Sequence, residues 1–143
     1  MNKVLARSLI GLVLAVTSGS VVGAGSLEDG YAAYNRGDYP AALQLFWKSA
    51  SQGNAEAEFN VGFLYESGRG PAQNYREAID WYMLAAAQGY AAAQTHLGLM
   101  YANGRGVPKD NKEAIKWLQL AAAQGYAEAK QALAQVQQGR SSP

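Results

Sequence analysis

The sequence predicts an all-α fold, an α/α superhelical solenoid of antiparallel helix pairs. Three observations carry that prediction. Residues 55–90 and 91–126 are two copies of one 36-residue unit, matching at 18 of 36 positions without a gap and closing on the same Ala-Ala-Ala-Gln-Gly-Tyr. A period of roughly 20–50 residues marks a stacked array. Within each copy, apolar residues recur at the i, i+3, i+4 spacing of a helix face. Gly-rich turns then divide each copy into two helical runs.

The chain opens on residues outside that array. Lys3 and Arg7 form a short basic region, Leu9 to Val16 is an apolar run broken only by Gly11, and Val22-Gly23-Ala24 supplies small residues for a signal peptidase. This is the pattern of a secretory signal peptide over residues 1–24. Cleavage is expected after Ala24, with Ser20 as the alternative. The apolar run is short for a membrane span of about 20 residues. With no cysteine in the chain, neither lipidation nor a disulfide is available.

Residues 25–54 read as a shortened first helix pair. Leu27, Tyr31 and Tyr34 share one face of a helix over Ser26 to Arg36, and Gly37 stops it. Asp38 caps the next helix, with Pro40 in its first turn where a missing N–H is harmless. Ala42, Leu43, Phe46, Trp47 and Ala50 form its expected apolar face, and Gly53 ends it.

In the second unit a first helix runs from Ala55 to Ser67, followed by the loop Gly68-Arg69-Gly70-Pro71. Asn74 with Glu77 makes the capping-box pattern of the second helix. The third unit repeats this with Ala91 to Asn103, Gly104-Arg105-Gly106-Val107-Pro108, and Asp110 with Glu113. Small residues at Ala57/Ala93, Gly62/Gly98 and Ala78/Ala114 allow close helix approach. Tyr65/Tyr101, Ile79/Ile115 and Trp81/Trp117 fill the space between pairs. Gly89 and Gly125 suit left-handed backbone after a helix, and Tyr90 and Tyr126 are placed to fold back on the last turn. Arg69 and Arg105 are not required by turn geometry; solvent or an acid of the neighbouring unit is their expected destination. Residues 127–138 begin like another first helix and then lose the pattern, as the polar terminal cap of a stack should. Residues 139–143 read as a tail.

Without residues 1–24 the chain carries 10 Lys+Arg against 11 Asp+Glu. That balance supplies no basic footprint for nucleic acid or anionic lipid. The charge is nonetheless uneven: residues 25–68 hold six acids and two bases, and residues 69–143 hold eight bases and five acids. Catalytic chemistry has few candidates. His96 is the single histidine, so paired-histidine metal spacing does not occur, and no serine occupies a strand-turn-helix elbow. The close carboxylates Glu56/Glu58 and Glu28/Asp29 fall on different helix faces. The Gly-Arg-Gly loops lack the Lys-Ser/Thr of a phosphate cradle. The sequence therefore predicts no enzyme, no cofactor and no metal site.

The ordered set Ala57, Gly62, Tyr65, Gly68, Gly70, Ala78, Trp81, Ala85-Ala86 and Gln88-Gly89, with its copy 36 residues later, resembles the Sel1-like repeat, a relative of the tetratricopeptide repeat. The second unit departs slightly, since Pro71 follows Gly70 directly where the third has Val107-Pro108. The resemblance implies a superhelix whose first helices line a groove, in proteins that act mostly as adaptors and scaffolds. By the same analogy the groove positions are Glu56, Phe59, Asn60, Phe63 and Glu66 in the second unit, Thr95, His96 and Leu99 in the third, and Gln131 and Gln135 in the cap. Phe59 and Phe63, four apart, are the natural anchor if exposed. Exported bacterial relatives suggest a monomer that binds one protein partner in the periplasm or after secretion. An immunity-type or regulatory protein acting on a toxin such as a phospholipase effector is the first expectation. The alternative is an assembly scaffold for polysaccharide or peptidoglycan machinery. The units differ where specificity would reside: Phe59 against Thr95, Asn60 against His96, Glu66 against Ala102.

Overall fold

A computed structural model describes residues 24–139; the expected signal peptide, but for its last residue Ala24, and residues 140–143 of the tail lie outside them. Among the described residues there are seven α-helices and no strand: α1 (Ala24–Asn35), α2 (Tyr39–Ala50), α3 (Ala55–Ser67), α4 (Tyr75–Ala87), α5 (Ala91–Asn103), α6 (Asn111–Ala123) and α7 (Ala127–Gln137). Helices pack in pairs, α1 on α2, α3 on α4 and α5 on α6. Each second helix then packs on the next first helix, ending with α6 on α7.

Helix starts follow local chemistry. The Asp38 carboxylate accepts from the Ala41 N–H at 3.2 Å and Asn54 from the Ala57 N–H at 2.9 Å. Asn74 accepts from the Glu77 N–H at 3.1 Å, and Asp110 from Lys112 and Glu113 at 2.9 and 3.1 Å. The reciprocal half of the expected capping box does not form. Glu77 instead accepts from Trp81 Nε1 at 3.3 Å, and Glu113 pairs with Lys116 at 3.5 Å. The N–H groups it would have served, of Asn74 and Asp110, donate to the Tyr65 and Tyr101 carbonyls at 2.9 Å each.

The Gln-Gly-Tyr endings are hydrogen-bonded hooks. The Gly89 N–H reaches the Ala86 carbonyl at 3.0 Å and the Tyr90 N–H the Ala85 carbonyl at 3.1 Å, with Gly89 at φ +85°. This double bond pattern satisfies the last carbonyls of α4 and turns the chain into α5. Tyr90 thereby becomes the residue before α5 and caps it with no side-chain bond. Its ring lies 5.4 Å from that of Phe59, so it packs on the preceding first helix.

Close approach explains the in-helix glycines. A Cβ on Gly62 would stand 2.8 Å from the Tyr82 ring, and one on Gly98 2.7 Å from Leu118 Cγ. The core is three clusters along the stack. Phe46, Val61 and Leu64 centre the first, Ile79, Tyr82, Leu97 and Met100 the second, and Leu118, Ala121, Ala129 and Ala132 the third. Tyr65 packs against the first two. Trp47 is not on the buried face expected for it: it is 53 % exposed, because the helix phase that buries Ala42, Phe46, Ser49 and Ala50 turns it outward.

Candidate functional site

Three first helices, α1, α3 and α5, bring the candidate residues together. Between α1 and α3 lies an open pocket of about 190 Å³ lined by Tyr31, Tyr34, Phe46, Phe59, Asn60, Phe63 and Leu64. Tyr31 meets Phe46 edge-on at 5.2 Å, and Phe59 and Phe63 stack at 6.4 Å. A polar rim crosses the pocket. Asn60 Nδ2 donates to the Tyr31 hydroxyl oxygen at 2.8 Å, and that hydroxyl donates to Glu56 Oε1 at 2.8 Å. Burial pushes the Tyr31 hydroxyl well above its usual range; the Asn60 bond pulls down and the Glu56 carboxylate pushes further up. This tyrosine stays neutral and keeps its proton for Glu56.

One step along the stack, Phe59 and Phe63 reach α5. Their rings stand 5.3 and 6.3 Å from the His96 ring, and Phe59 lies 5.5 Å from Tyr82. Glu66 Oε2 takes both polar neighbours: it accepts from the Tyr82 hydroxyl and lies 2.9 Å from His96 Nδ1. Burial opposes the charge on Glu66, but the His96 and Tyr82 bonds and the positive field of His96 and Arg105 outweigh it, so its carboxyl is held below the usual range. Burial, followed by the Glu66 charge, pushes the Tyr82 hydroxyl far up. Glu66, His96 and Tyr82 thus lock two units together. Phe59 and Phe63 are half-buried, each with one side in the stack and one on the pocket.

Thr95 is a correction. It is 0 % exposed and its Oγ1 donates to the Ala91 carbonyl at 2.8 Å, so it is an internal residue of α5 and cannot meet a partner. The position that carries Phe59 in α3 turns into the stack in α5. Leu99, Gln131 and Gln135 do meet, in a second pocket of about 220 Å³ between α5 and α7 that Glu128 and Ala132 complete. The two pockets are separate: Glu56, Phe59, Asn60 and Phe63 gather at the first, Leu99, Gln131 and Gln135 at the second, Glu66 is paired with His96 beside the first, and Thr95 belongs to neither.

Sequence reasoning missed two arrangements. Tyr31 and Tyr34 line the first pocket, and the phase of α1, set by Leu27, Tyr31 and Tyr34, was the available signal. The second is the role of the repeated Gln before Gly. Gln88 Nε2 donates to Glu58 Oε2 at 2.7 Å, and Gln124 Nε2 donates to Gln94 Oε1 at 3.0 Å and the Gly89 carbonyl at 2.9 Å. These tie the end of each second helix to the buried polar position of its first helix. Arg69 is exposed, as expected, but meets no acid: its guanidinium lies 5.7 and 5.6 Å from the Tyr34 and Tyr39 ring centres and donates to the Tyr34 hydroxyl.

The comparisons with known proteins agree with this geometry. The family model for the Sel1 repeat matches residues 26–54, 55–90 and 91–126. The chain belongs to the Sel1 repeat family. Among solved structures, this Sel1 array is similar to a Sel1 repeat protein from Oxalobacter formigenes, at 39 % identity and a TM-score of 0.69 over 73 % of this chain and 42 % of that one. It is also similar to c5321, a protective antigen of uropathogenic Escherichia coli, at 32 % identity and a TM-score of 0.70 over 92 % of this chain and 33 % of that one. Helicobacter pylori cysteine rich protein B follows at 25 % identity and a TM-score of 0.60, over 62 % of this chain and 67 % of that one. A 43-residue stretch is 44 % identical to DAP3-binding cell death enhancer 1 of Mus musculus, covering 30 % of this chain and 8 % of that protein. The array thus spans well under two thirds of the first relatives it matches.

Sel1 repeats typically mediate protein–protein binding, and the first pocket has the chemistry for it: aromatic faces and a polar rim. Among the described residues no cluster of three His, Asp or Glu side chains could hold a metal ion, and no helix is long and apolar enough to cross a membrane.

Proposed function

We propose that this Sel1 array is an exported protein-binding module that engages one partner across the face of its first helices, in the bacterial periplasm after removal of residues 1–24. An immunity-type or regulatory role, neutralising or modulating a secreted toxin such as a phospholipase effector, fits an array that presents one open aromatic pocket. The observation that carries the reading is that pocket between α1 and α3. It presents Phe59, packed against the core, with Phe63 stacked on it and Tyr31 held edge-on by Phe46, and large aromatics set in a pocket are the usual anchors of protein interfaces. The mouse relative, named for binding another protein, is consistent with this use of the repeat. A scaffold role in envelope assembly is the second reading, favoured by the exposed Trp47, Leu84 and Leu120 on the second helices.

Photo-crosslinking in the native host tests the two. A benzophenone amino acid at Asn60 is expected to give one discrete adduct, whereas the same group at Leu84 gives none. Adducts from Leu84 with none from Asn60 would replace the first reading by the second.

A further inference from the structure

The first pocket combines two features that a purely apolar anchor site does not need. Its rim carries Glu56, a half-buried carboxylate whose hydrogen-bond partner is the neutral Tyr31 hydroxyl. Among the described residues no cationic side chain is seen paired with it. Its walls are electron-rich rings: Tyr31, Tyr34, Phe46, Phe59 and Phe63. The ring faces and a carboxylate at their edge are complementary to one chemical class, a cation with a flat apolar body.

Charge placement agrees. Residues 25–68 hold six acids and two bases. Glu28, exposed, lies one helical turn before Tyr31 on α1. The two bases of this stretch are Arg36, after the end of α1, and Lys48, exposed on α2; Arg69, just beyond it, holds its guanidinium on the Tyr34 wall of the pocket and not on Glu56. Glu56 also adds to the upward push that burial gives the Tyr90 hydroxyl, so its negative field extends along the face. The protein already contains the contact in question, since the Arg69 guanidinium lies over Tyr34 and Tyr39. A guanidinium can stack on a ring and bond a carboxylate at the same time, while an ammonium is more strongly hydrated and has no plane to stack.

We propose that the crevice between α1 and α3 is an arginine-recognition pocket, taking a guanidinium of the partner against Tyr31, Phe59 and Phe63 and pairing it with Glu56. The proposal rests on the protein-binding reading above and names the chemistry of the partner's contact. The Tyr31 hydroxyl, oriented by Asn60 toward one carboxylate oxygen, leaves the other oxygen of Glu56 to the guanidinium.

The test is titration of the ¹⁵N-labelled protein with N-acetyl-argininamide and with its neutral isostere, N-acetyl-citrullinamide. Argininamide is expected to give saturable shifts at the Tyr31, Asn60 and Phe63 amides, with citrullinamide weaker by about fivefold or more. Glu56→Gln keeps an acceptor for the Tyr31 hydroxyl and should weaken argininamide binding by a similar factor. Phe63→Leu keeps the bulk, removes the ring face and should weaken it too. Equal binding of the two probes, an unaffected Glu56→Gln variant, or no saturable shift with argininamide overturns the proposal. If argininamide gives no saturable shift with the protein that keeps Glu56 while the adduct from position 60 still forms, the arginine pocket falls and the protein-binding face stands.

Discussion

Glu58 and Gln94 occupy equivalent positions in successive units, both at 5 % exposure or less, but only one is free of a charge problem. Gln94 donates to the Ala86 carbonyl at 3.2 Å and accepts from Gln124. Glu58 accepts from Gln88 alone; burial pushes its carboxyl above the usual range and that bond only partly offsets it. A raised folded-state pKa contributes stability below the unfolded value that is lost as pH rises through the folded one. Glu58→Gln should therefore stabilise by about 1 kcal/mol at neutral pH, with the gain fading toward pH 4; urea titrations at both pH values check this. Glu66 has the opposite sign. Its depressed folded pKa contributes stability above the unfolded value that is lost as pH falls through the folded one. Glu66→Gln should cost stability at pH 7 and flatten the acid limb of the same profile. Gly98 makes a steric prediction. With Leu118 Cγ at 2.7 Å and the Ala114 carbonyl at 3.1 Å from an added Cβ, Gly98→Ala should destabilise by about 1–3 kcal/mol despite its better helix propensity.

At the scale of elements, each unit is closed by a side-chain cap at the start of its second helix and a glycine hook at its end. The second-helix caps are side-chain oxygens on backbone N–H groups, so Asp110→Ala should cost about 1 kcal/mol, read as a shift in urea midpoint at constant slope. First helices divide differently. Asn54 caps α3 through its side chain, whereas Tyr90 and Tyr126 begin α5 and α7 without one and place their rings in the second and third clusters. Ring burial takes the place of a cap hydrogen bond at those junctions. The loops join neighbouring units as well. A Cβ on Gly106 would meet the Tyr75 backbone at 2.8 Å, so each Gly-Arg-Gly turn rests on the second helix of the unit before it.

The whole molecule is a linear stack, and its stability depends on the ends being covered. α7 covers Leu118 and Ala121 with Ala129 and Ala132 and leaves Lys130, Gln131 and Ala134 outward. Removing residues 127–143 should bare that cluster, lower the thermal midpoint and give larger species by light scattering. An unchanged midpoint and mass would show that α7 covers nothing that matters.

The sequence by itself determined the repeat, its helix pairs and the places where backbone must turn or approach closely. Those features are local or periodic: Asn74 and Asp110 cap within three residues, Gly89 and Gly125 need a left-handed backbone, and the 36-residue period repeats one packing problem. Tertiary structure alone decided how side chains of different units meet. Periodicity placed Thr95 and Phe59 at one position, yet a small polar residue is drawn into the stack where an aromatic ring spans its edge. It placed Trp47 inside, but the phase set by Phe46 and Ala50 turns it out. It sent Arg69 to solvent or a neighbouring acid, but the ring faces of Tyr34 and Tyr39, from another unit, hold its guanidinium. The candidate pocket has the same origin: Tyr31 and Phe63 are 32 residues apart, and only the stacking of α1 on α3 makes them one surface.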